Sequence, residues 1–156
     1  MRRWWLYIIL YSLVGICGFS PFAGTDLAEL SPVEVVWMEE QNGFITIETD
    51  GGESGSGGTV AEALENMRHT AAHTVFLDTA DYLIVRKGDE GLILQIVDKL
   101  RPSCGVCLSN RKLPLEEVAD FLHTHNLAVK LKNISEETEK LPLLGEWKGR
   151  VMIVEE

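Results

Sequence analysis

The first 24 residues constrain the chain most, because their composition is that of a segment that meets a membrane. Two arginines precede sixteen uncharged residues, Trp4 to Phe19, and the first acidic residue is Asp26. A basic start followed by an apolar run is typical of an export signal or a membrane anchor. We therefore expect residues 25–156 to fold on the far side of a membrane, or tethered to its surface.

Three fates of this segment remain open. Cys17 lies at the depth of a lipidated cysteine, but Ile16 stands where a bacterial lipobox has a small residue. Residues 20–24, SPFAG, offer only a poor cleavage site for a signal peptidase, which prefers small residues just before the cut. An uncleaved signal anchor would place its aromatic residues near the interface: Trp4, Trp5, Tyr7 and Tyr11. An anchor, a lipoprotein acylated on Cys17 and a cleaved, released protein all predict export.

The charge of the exported part excludes one class of partner. All 24 acidic residues and all but two of the 14 basic residues follow residue 24, so this part carries a net charge of about −12. An acidic surface repels the phosphates of nucleic acids and anionic lipid headgroups. We therefore expect no nucleic-acid partner and a single membrane contact, because no later apolar segment approaches the ~18–20 residues of a second span.

The spacing of apolar residues predicts a mixed sheet with helices packed on it. After a polar connector at 25–31, alternating residues over 32–38 and 44–49 flank Asn42-Gly43, a strong hairpin signal. Helix signals begin near residues 59, 89 and 114. Asp89 is predicted to cap the second helix, whose predicted core face comprises Leu92, Ile96, Val97 and Leu100, and the predicted core face of the third helix comprises Val118, Ala119 and Leu122. Further strands are predicted at the following ranges: 82–85, 104–109, 128–131 and 149–154. The order ββαβαβα(β)β predicts one extracytoplasmic α/β (α+β) domain over 32–156, with about three helices, after an N-terminal hydrophobic export or anchor helix.

A Gly/Ser-rich stretch at 50–58 is predicted to be a flexible loop. Glycines between a strand and a helix can cradle a phosphate, but this stretch has no terminal lysine and lacks the dinucleotide spacing. Its acidic residues, Asp50 and Glu53, would repel a phosphate as well. The composition is instead typical of a linker.

The helix that follows carries the clearest core pattern. Thr59 and Glu62 form a capping box, and the apolar residues after it fall on one face: Val60, Ala63, Leu64, Met67 and Ala71. We expect Leu64 and Met67 to be buried against a sheet face that contains Phe44, Ile84 or their neighbours. His69 and His73 are predicted to lie on the opposite, solvent-facing side of this helix.

Two cysteines are the sharpest candidates for chemistry. Cys104 and Cys107 form a CxxC motif, which can be a redox pair, a local disulfide or half of a zinc site. If 104–109 is a strand, residues three apart are separated by roughly 10 Å, beyond the ~7 Å limit for a disulfide. Structural cysteines are therefore favoured, and His123 and His125 are interpreted as surface residues because their one-residue spacer does not suit a zinc site.

Short motifs across residues 17–125 occur together in an order that one family shares. The first two are a membrane-proximal cysteine, Cys17, and a DLAEL connector, Asp26–Leu30. A helix start of the form T-x-x-E-A-L follows at Thr59–Leu64. The last is an aromatic-Leu pair, Phe76-Leu77, before a hydrophobic strand, Tyr82–Val85, that ends at Gly88. The chain thus resembles the N-terminal domain of the C-subunit lipoproteins of bacterial spore germinant receptors, the Ger(x)C family. It departs from that family at Ile16, and it covers only the first of the family's domains.

The resemblance implies a function as well as a fold. It implies a non-enzymatic, membrane-tethered interaction domain at the outer face of the inner spore membrane, which binds integral-membrane receptor subunits during spore germination. The family's lipidated cysteine would correspond to Cys17. From the residues themselves we expect no catalytic, cofactor or metal site. The rival hypothesis is an exported thiol-disulfide or metal-binding protein that uses Cys104 and Cys107.

Overall fold

The structure, a computed structural model, describes residues 30–125, 129–134 and 140–154, and also residues 4, 5, 7 and 12 near the N-terminus. The predicted lipidation site, Cys17, lies outside the described residues, as does most of the predicted export helix. Among the described residues no helix is both long and apolar enough to cross a membrane.

The described chain forms strands β1 to β10 and helices α1 to α3. The strands are β1 Leu30–Pro32, β2 Val35–Gln41, β3 Phe44–Thr49, β4 Ser54–Gly57, β5 Thr74–Phe76, β6 Tyr82–Arg86, β7 Gly105–Ser109, β8 Val129–Lys130, β9 Leu143–Trp147 and β10 Arg150–Val154. The helices are α1 Val60–Thr70, α2 Gly91–Ile96 and α3 Leu115–His125, with 3-10 turns at Leu77–Thr79, Val97–Lys99 and Leu131–Asn133. The predicted mixed α/β fold is confirmed.

Eight of these strands form one mixed sheet in the order β10-β9-β7-β6-β2-β3-β4, with β8 paired to β7. Strands β2, β6, β7 and β9 run parallel to one another, whereas β3, β4 and β10 are antiparallel to their neighbours. β1 and β5 form a separate parallel pair. The Asn42-Gly43 hairpin is confirmed, and both turn residues have positive φ, as a type I′ turn requires.

Helices cover both faces of the sheet, so the central strands are apolar on both sides. In β2, Val36 and Met38 contact the core beneath α1 and α2, which we call the first face, while Val35 and Trp37 contact the core beneath α3, the second face. The alternating, half-buried strand predicted at 32–38 is therefore wrong in one respect. Val36 occupies the expected outer position, yet it is buried because a second layer of helix lies over it.

The Gly/Ser-rich stretch is not a flexible loop over its whole length. Residues 54–57 form the edge strand β4, which pairs with β3, and α1 packs directly against it. A methyl group at Gly55 would meet the carbonyl oxygen of Ala63 and would come within 2.5 Å of the Met67 nitrogen. The glycines are present because the helix backbone approaches the strand backbone closely.

Helix α1 follows the predicted pattern, but its sheet partners differ in part. The Thr59 hydroxyl accepts from the Glu62 N–H at 3.2 Å, and Leu64 and Met67 are buried on the first face. Phe44 is exposed and Ile84 faces α3, so the helix instead contacts their neighbours. His69 and His73 are exposed as expected, although His73 follows the end of the helix.

The second helix departs further from its predicted face. Leu92, Ile96 and Leu100 are buried as expected, but Val97 is exposed because a 3-10 turn begins there and rotates the side chain outward. Asp89, predicted to cap this helix, instead accepts from the Glu40 N–H at 2.8 Å and thereby joins the loop after β6 to the end of β2.

The third helix has the predicted core face, which comprises Val118, Ala119 and Leu122. Of the short strand predicted at 128–131, residues 129–130 form β8, and residue 128 lies outside the described residues. The predicted last strand corresponds to β10. Strands β1, β4, β5 and β9 were not predicted.

Candidate interaction surface

The β9–β10 hairpin presents apolar side chains on both sides of the sheet, and the described part of the chain covers only one of them. Lys148 and Gly149 form its two-residue turn, with φ of 51° and 75°, as a type I′ turn requires. On the second face, Leu144 and Val151 are buried in the core beneath α3. On the opposite side Trp147 is 66% exposed, and two further apolar side chains there, Met152 and Val154, are 41% and 38% exposed.

A glycine shapes this exposed side of the hairpin. Gly145 pairs with Met152 across the strands, and a methyl group at Gly145 would come within 2.6 Å of a Val154 methyl carbon. The missing side chain therefore lets Val154 lie over the strand. We call Gly145, Trp147, Met152 and Val154 the hairpin surface.

An open cleft of about 530 Å³ lies between the hairpin surface and the loop after β7. That loop contributes Asn110 and Arg111, and an Arg111 guanidinium nitrogen lies 2.9 Å from a Glu146 carboxylate oxygen. At the turn, the Lys148 ammonium lies 5.9 Å from the centre of the Trp147 ring, within the range of a cation–π contact.

An exposed tryptophan beside an arginine ion pair has the chemistry of a binding surface rather than of a catalytic centre. Tryptophan and arginine are enriched among the residues that dominate binding energy at protein interfaces, and a polar rim around apolar anchors is the usual arrangement. Sequence reasoning missed this surface because it missed β9. The signal that would have found it is Lys148-Gly149 between two apolar runs, a two-residue turn of the hairpin type.

The structure places Cys104 and Cys107 on opposite faces of the sheet. Cys104 belongs to the core beneath α2, and Cys107 to the core beneath α3. Both thiols are free and fully buried, so the local disulfide considered from the sequence is not formed. The arrangement fits cysteines that fill the core.

Burial also suppresses the reactivity of both thiols. It raises the pKa of Cys104 to about 12 against smaller lowering effects of Arg101 and Lys130. Burial likewise raises the pKa of Cys107 to about 12, with a further increase from Cys104. Because the thiolate is the nucleophile and the metal ligand, thiols held neutral in this way are poorly suited to redox or metal chemistry.

We expect the burial of these thiols to make the domain less stable at alkaline pH. Thiols of the unfolded chain ionise from about pH 9.0, whereas the folded thiols stay neutral up to about pH 12. The contribution of the two thiols to stability is therefore fully present below about pH 9 and is lost as pH rises through this window, since the unfolded state then binds fewer protons. Urea midpoints measured on either side of pH 9 should show the fall, and Cys107→Ala should reduce its slope. Equal slopes for parent and variant would contradict this account.

The histidines do not gather into a metal site. His123 lies between Tyr82, whose hydroxyl oxygen is 3.5 Å from its Nδ1, and Glu34, whose carboxylate oxygen is 3.8 Å from its Nε2. His125 stacks on Phe121 one turn earlier, and His69 lies near Glu65. No group of three or more His, Cys, Asp or Glu side chains that could hold a metal occurs within the described part of the chain.

Comparison of the chain with protein-family models, with curated proteins and with solved structures found no match in any of the three.

Proposed function

We propose that the chain is a membrane-tethered, extracytoplasmic interaction domain that acts in spore germination by binding integral-membrane receptor subunits. The observation that carries the proposal is the hairpin surface, which exposes Trp147 beside Met152 and Val154 on a chain whose first 24 residues have the composition of an export or anchor segment. The resemblance to germinant-receptor C subunits supplies the biological setting.

The hairpin surface has the energetics of a protein-binding site. Burying one large apolar side chain contributes about 1.5–3 kcal/mol, and an aromatic anchor usually dominates the interface in which it lies. The Arg111–Glu146 ion pair lies at the rim of this surface. Its two side chains can separate and pair with charged groups of a bound protein at little cost, since exposed ion pairs contribute only ~0–1 kcal/mol.

The charge of the domain favours a protein partner over a lipid surface. With a net charge of about −12 after residue 24, the folded part is repelled by anionic headgroups, so membrane contact falls to the N-terminal segment. Tethering then holds the hairpin surface close to proteins embedded in the same membrane. The proposed location is the extracytoplasmic face of the cell membrane, which is the inner membrane in the spore.

Co-purification from detergent-solubilised membranes tests the proposal. The parent chain should recover integral-membrane receptor subunits identified by mass spectrometry, and Trp147→Ser should recover several-fold less of them. Phe44→Ser is the matched control, because Phe44 is a similarly exposed aromatic residue, 60% against 66%, on β3, which lies four strands away from β9 in the sheet. Recovery of the parent chain alone in the soluble fraction would overturn the proposal, as would an equal loss for both variants.

The intact mass of the membrane-extracted protein tests the tether. A mass increase of a diacylglyceryl group and a new N-terminus at Cys17 would identify a lipoprotein, and an unmodified full-length mass would identify an uncleaved anchor. A shortened, unmodified protein found free of the membrane would contradict tethering.

A further inference from the structure

The two edges of the eight-stranded sheet differ in how they are protected. At one edge, β4 is only four residues of serine and glycine, and α1 packs against it. At the other edge, β10 carries the residues RVMIV and pairs only with β9 among the described strands. An edge strand whose four residues after Arg150 are all apolar is a surface on which another strand can pair.

The turn determines which backbone groups of β10 are available. A two-residue turn closes on a hydrogen-bonded pair, here Trp147 and Arg150, and such pairs alternate along an antiparallel ladder. The N–H and C=O groups of Arg150, Met152 and Val154 therefore face β9. Those of Val151 and Ile153 face away from it, toward the edge with which no described strand pairs.

The charges around β10 match a second copy of the same strand. Lys148 and Arg150 lie at its start, and the sequence continues after its end with two glutamates, Glu155 and Glu156. In sequence order, an antiparallel pair of these strands therefore matches the basic start of each strand with the acidic residues that follow the other. Opposite charges across a strand pair are stabilising, so the pattern is complementary to itself.

We propose that β10 pairs with β10 of a second copy of this chain, antiparallel and around a twofold axis at Met152. This register places Val151 opposite Ile153 of the second copy and uses all four outward-facing groups of each described strand. The axis is perpendicular to the sheet, so the sheet continues across both copies and their hairpin surfaces become adjacent on one face. The inference stands on the edge strand and does not depend on the identity of a receptor partner.

The pairing is weak in dilute solution and is favoured by tethering. A five-residue strand pair buries less than the ~1,200–2,000 Å² typical of stable complexes, and two acidic domains repel each other at longer range. Confinement to a membrane raises the effective concentration of the second copy without any new contact. The association is therefore best measured in membranes that contain the full chain.

Cysteine cross-linking in isolated membranes tests the pairing and its register. Met152→Cys places two thiols opposite each other, with Cα atoms about 4.5 Å apart, a separation that a disulfide can bridge. Val154→Cys is the matched control, because its side chain is similarly exposed but its two copies lie roughly 13 Å apart in the same register. The parent chain, which retains Cys17, Cys104 and Cys107, supplies the background.

Under mild oxidation, Met152→Cys should form a disulfide-linked dimer to an extent several-fold above both Val154→Cys and the parent. Met152→Lys, which sets two like charges side by side, should reduce chemical cross-linking of the otherwise native chain by a similar factor. Equal dimer from Met152→Cys and Val154→Cys, or background levels from both, would overturn the proposal. Efficient linkage of Met152→Cys to a different protein instead of a second copy would overturn it as well.

Discussion

Replacing Leu64 with alanine should lower the free energy of unfolding by roughly 2–5 kcal/mol, the usual cost of removing a buried leucine side chain. Leu64 is 4% exposed and lies on the inner side of α1, within the core of the first face. The rigid partners on the sheet limit collapse of the cavity, because β2, β3 and β6 are held in register by their neighbours. The loss would be a large share of a typical ~5–15 kcal/mol stability.

His69→Ala is the control on the same helix. The His69 side chain is 76% exposed, and its Nε2 atom lies 3.8 Å from a Glu65 carboxylate oxygen. Its removal should change stability by less than ~0.5 kcal/mol. Urea denaturation of the full chain in detergent, followed by far-ultraviolet circular dichroism, measures both variants. Similar midpoint shifts for the two would mean that α1 packs on its other side.

Patterns that depend on a single element were predicted well from the sequence. The Thr59 cap, the apolar face that contains Leu64 and Met67, and the Asn42-Gly43 turn are each determined by residues within a few positions of one another. Local hydrogen bonding and side-chain direction determine these features, so tertiary packing does not change them.

Features that depend on a third layer were not predictable in the same way. Val36 occupies a position at which a half-buried strand would have an exposed polar residue, and it is buried because helices cover both faces of the sheet. Val97 fits the core face of a continued α-helix, but the α-helix ends before it and a 3-10 turn begins there. The packing of distant elements determined the burial of Val36, whereas a local change of helix type determined the exposure of Val97.

The cysteine pair shows how a motif can mislead when its element is unknown. A CxxC motif at the start of a helix places both sulfurs on one side of the helix. Here Cys104 directly precedes strand β7 and Cys107 lies within it, and in an extended chain residues three apart face opposite sides of the sheet. The sequence predicts the strand, and the separation of roughly 10 Å between residues three apart in a strand is what favours structural cysteines there. The hairpin surface was missed, because β9 contains Gly145 and Glu146, which weaken the strand pattern.

The flexible loop predicted at 50–58 is wrong for residues 54–57, which form β4. Composition suggested a linker, but Gly55 and Gly57 are buried where α1 crosses the edge strand β4. Glycine in a strand often marks the close approach of another backbone, and a Gly/Ser run can therefore be a packing surface. Only the contact with α1 distinguishes the two possibilities.

Gly55→Ala should destabilise the fold by about 3 kcal/mol, toward the upper end of overpacking costs. The added methyl group would collide with the Ala63 carbonyl oxygen and would lie 2.5 Å from the Met67 nitrogen. Both obstacles are helix backbone, which cannot rotate aside as a side chain can, so α1 must move away from β4. That movement loosens Leu64 and Met67 in the core.

Gly58→Ala provides the matched control three residues away. A methyl group there meets only the end of the Glu62 side chain, at an ordinary contact distance of 3.5 Å. Stability should change by less than ~1 kcal/mol, with the sign set by the reduced freedom of the unfolded chain. Urea midpoints of the two variants decide the matter. If Gly55→Ala is as stable as Gly58→Ala, then β4 and α1 do not pack backbone to backbone and the stretch is the flexible linker that its composition suggests.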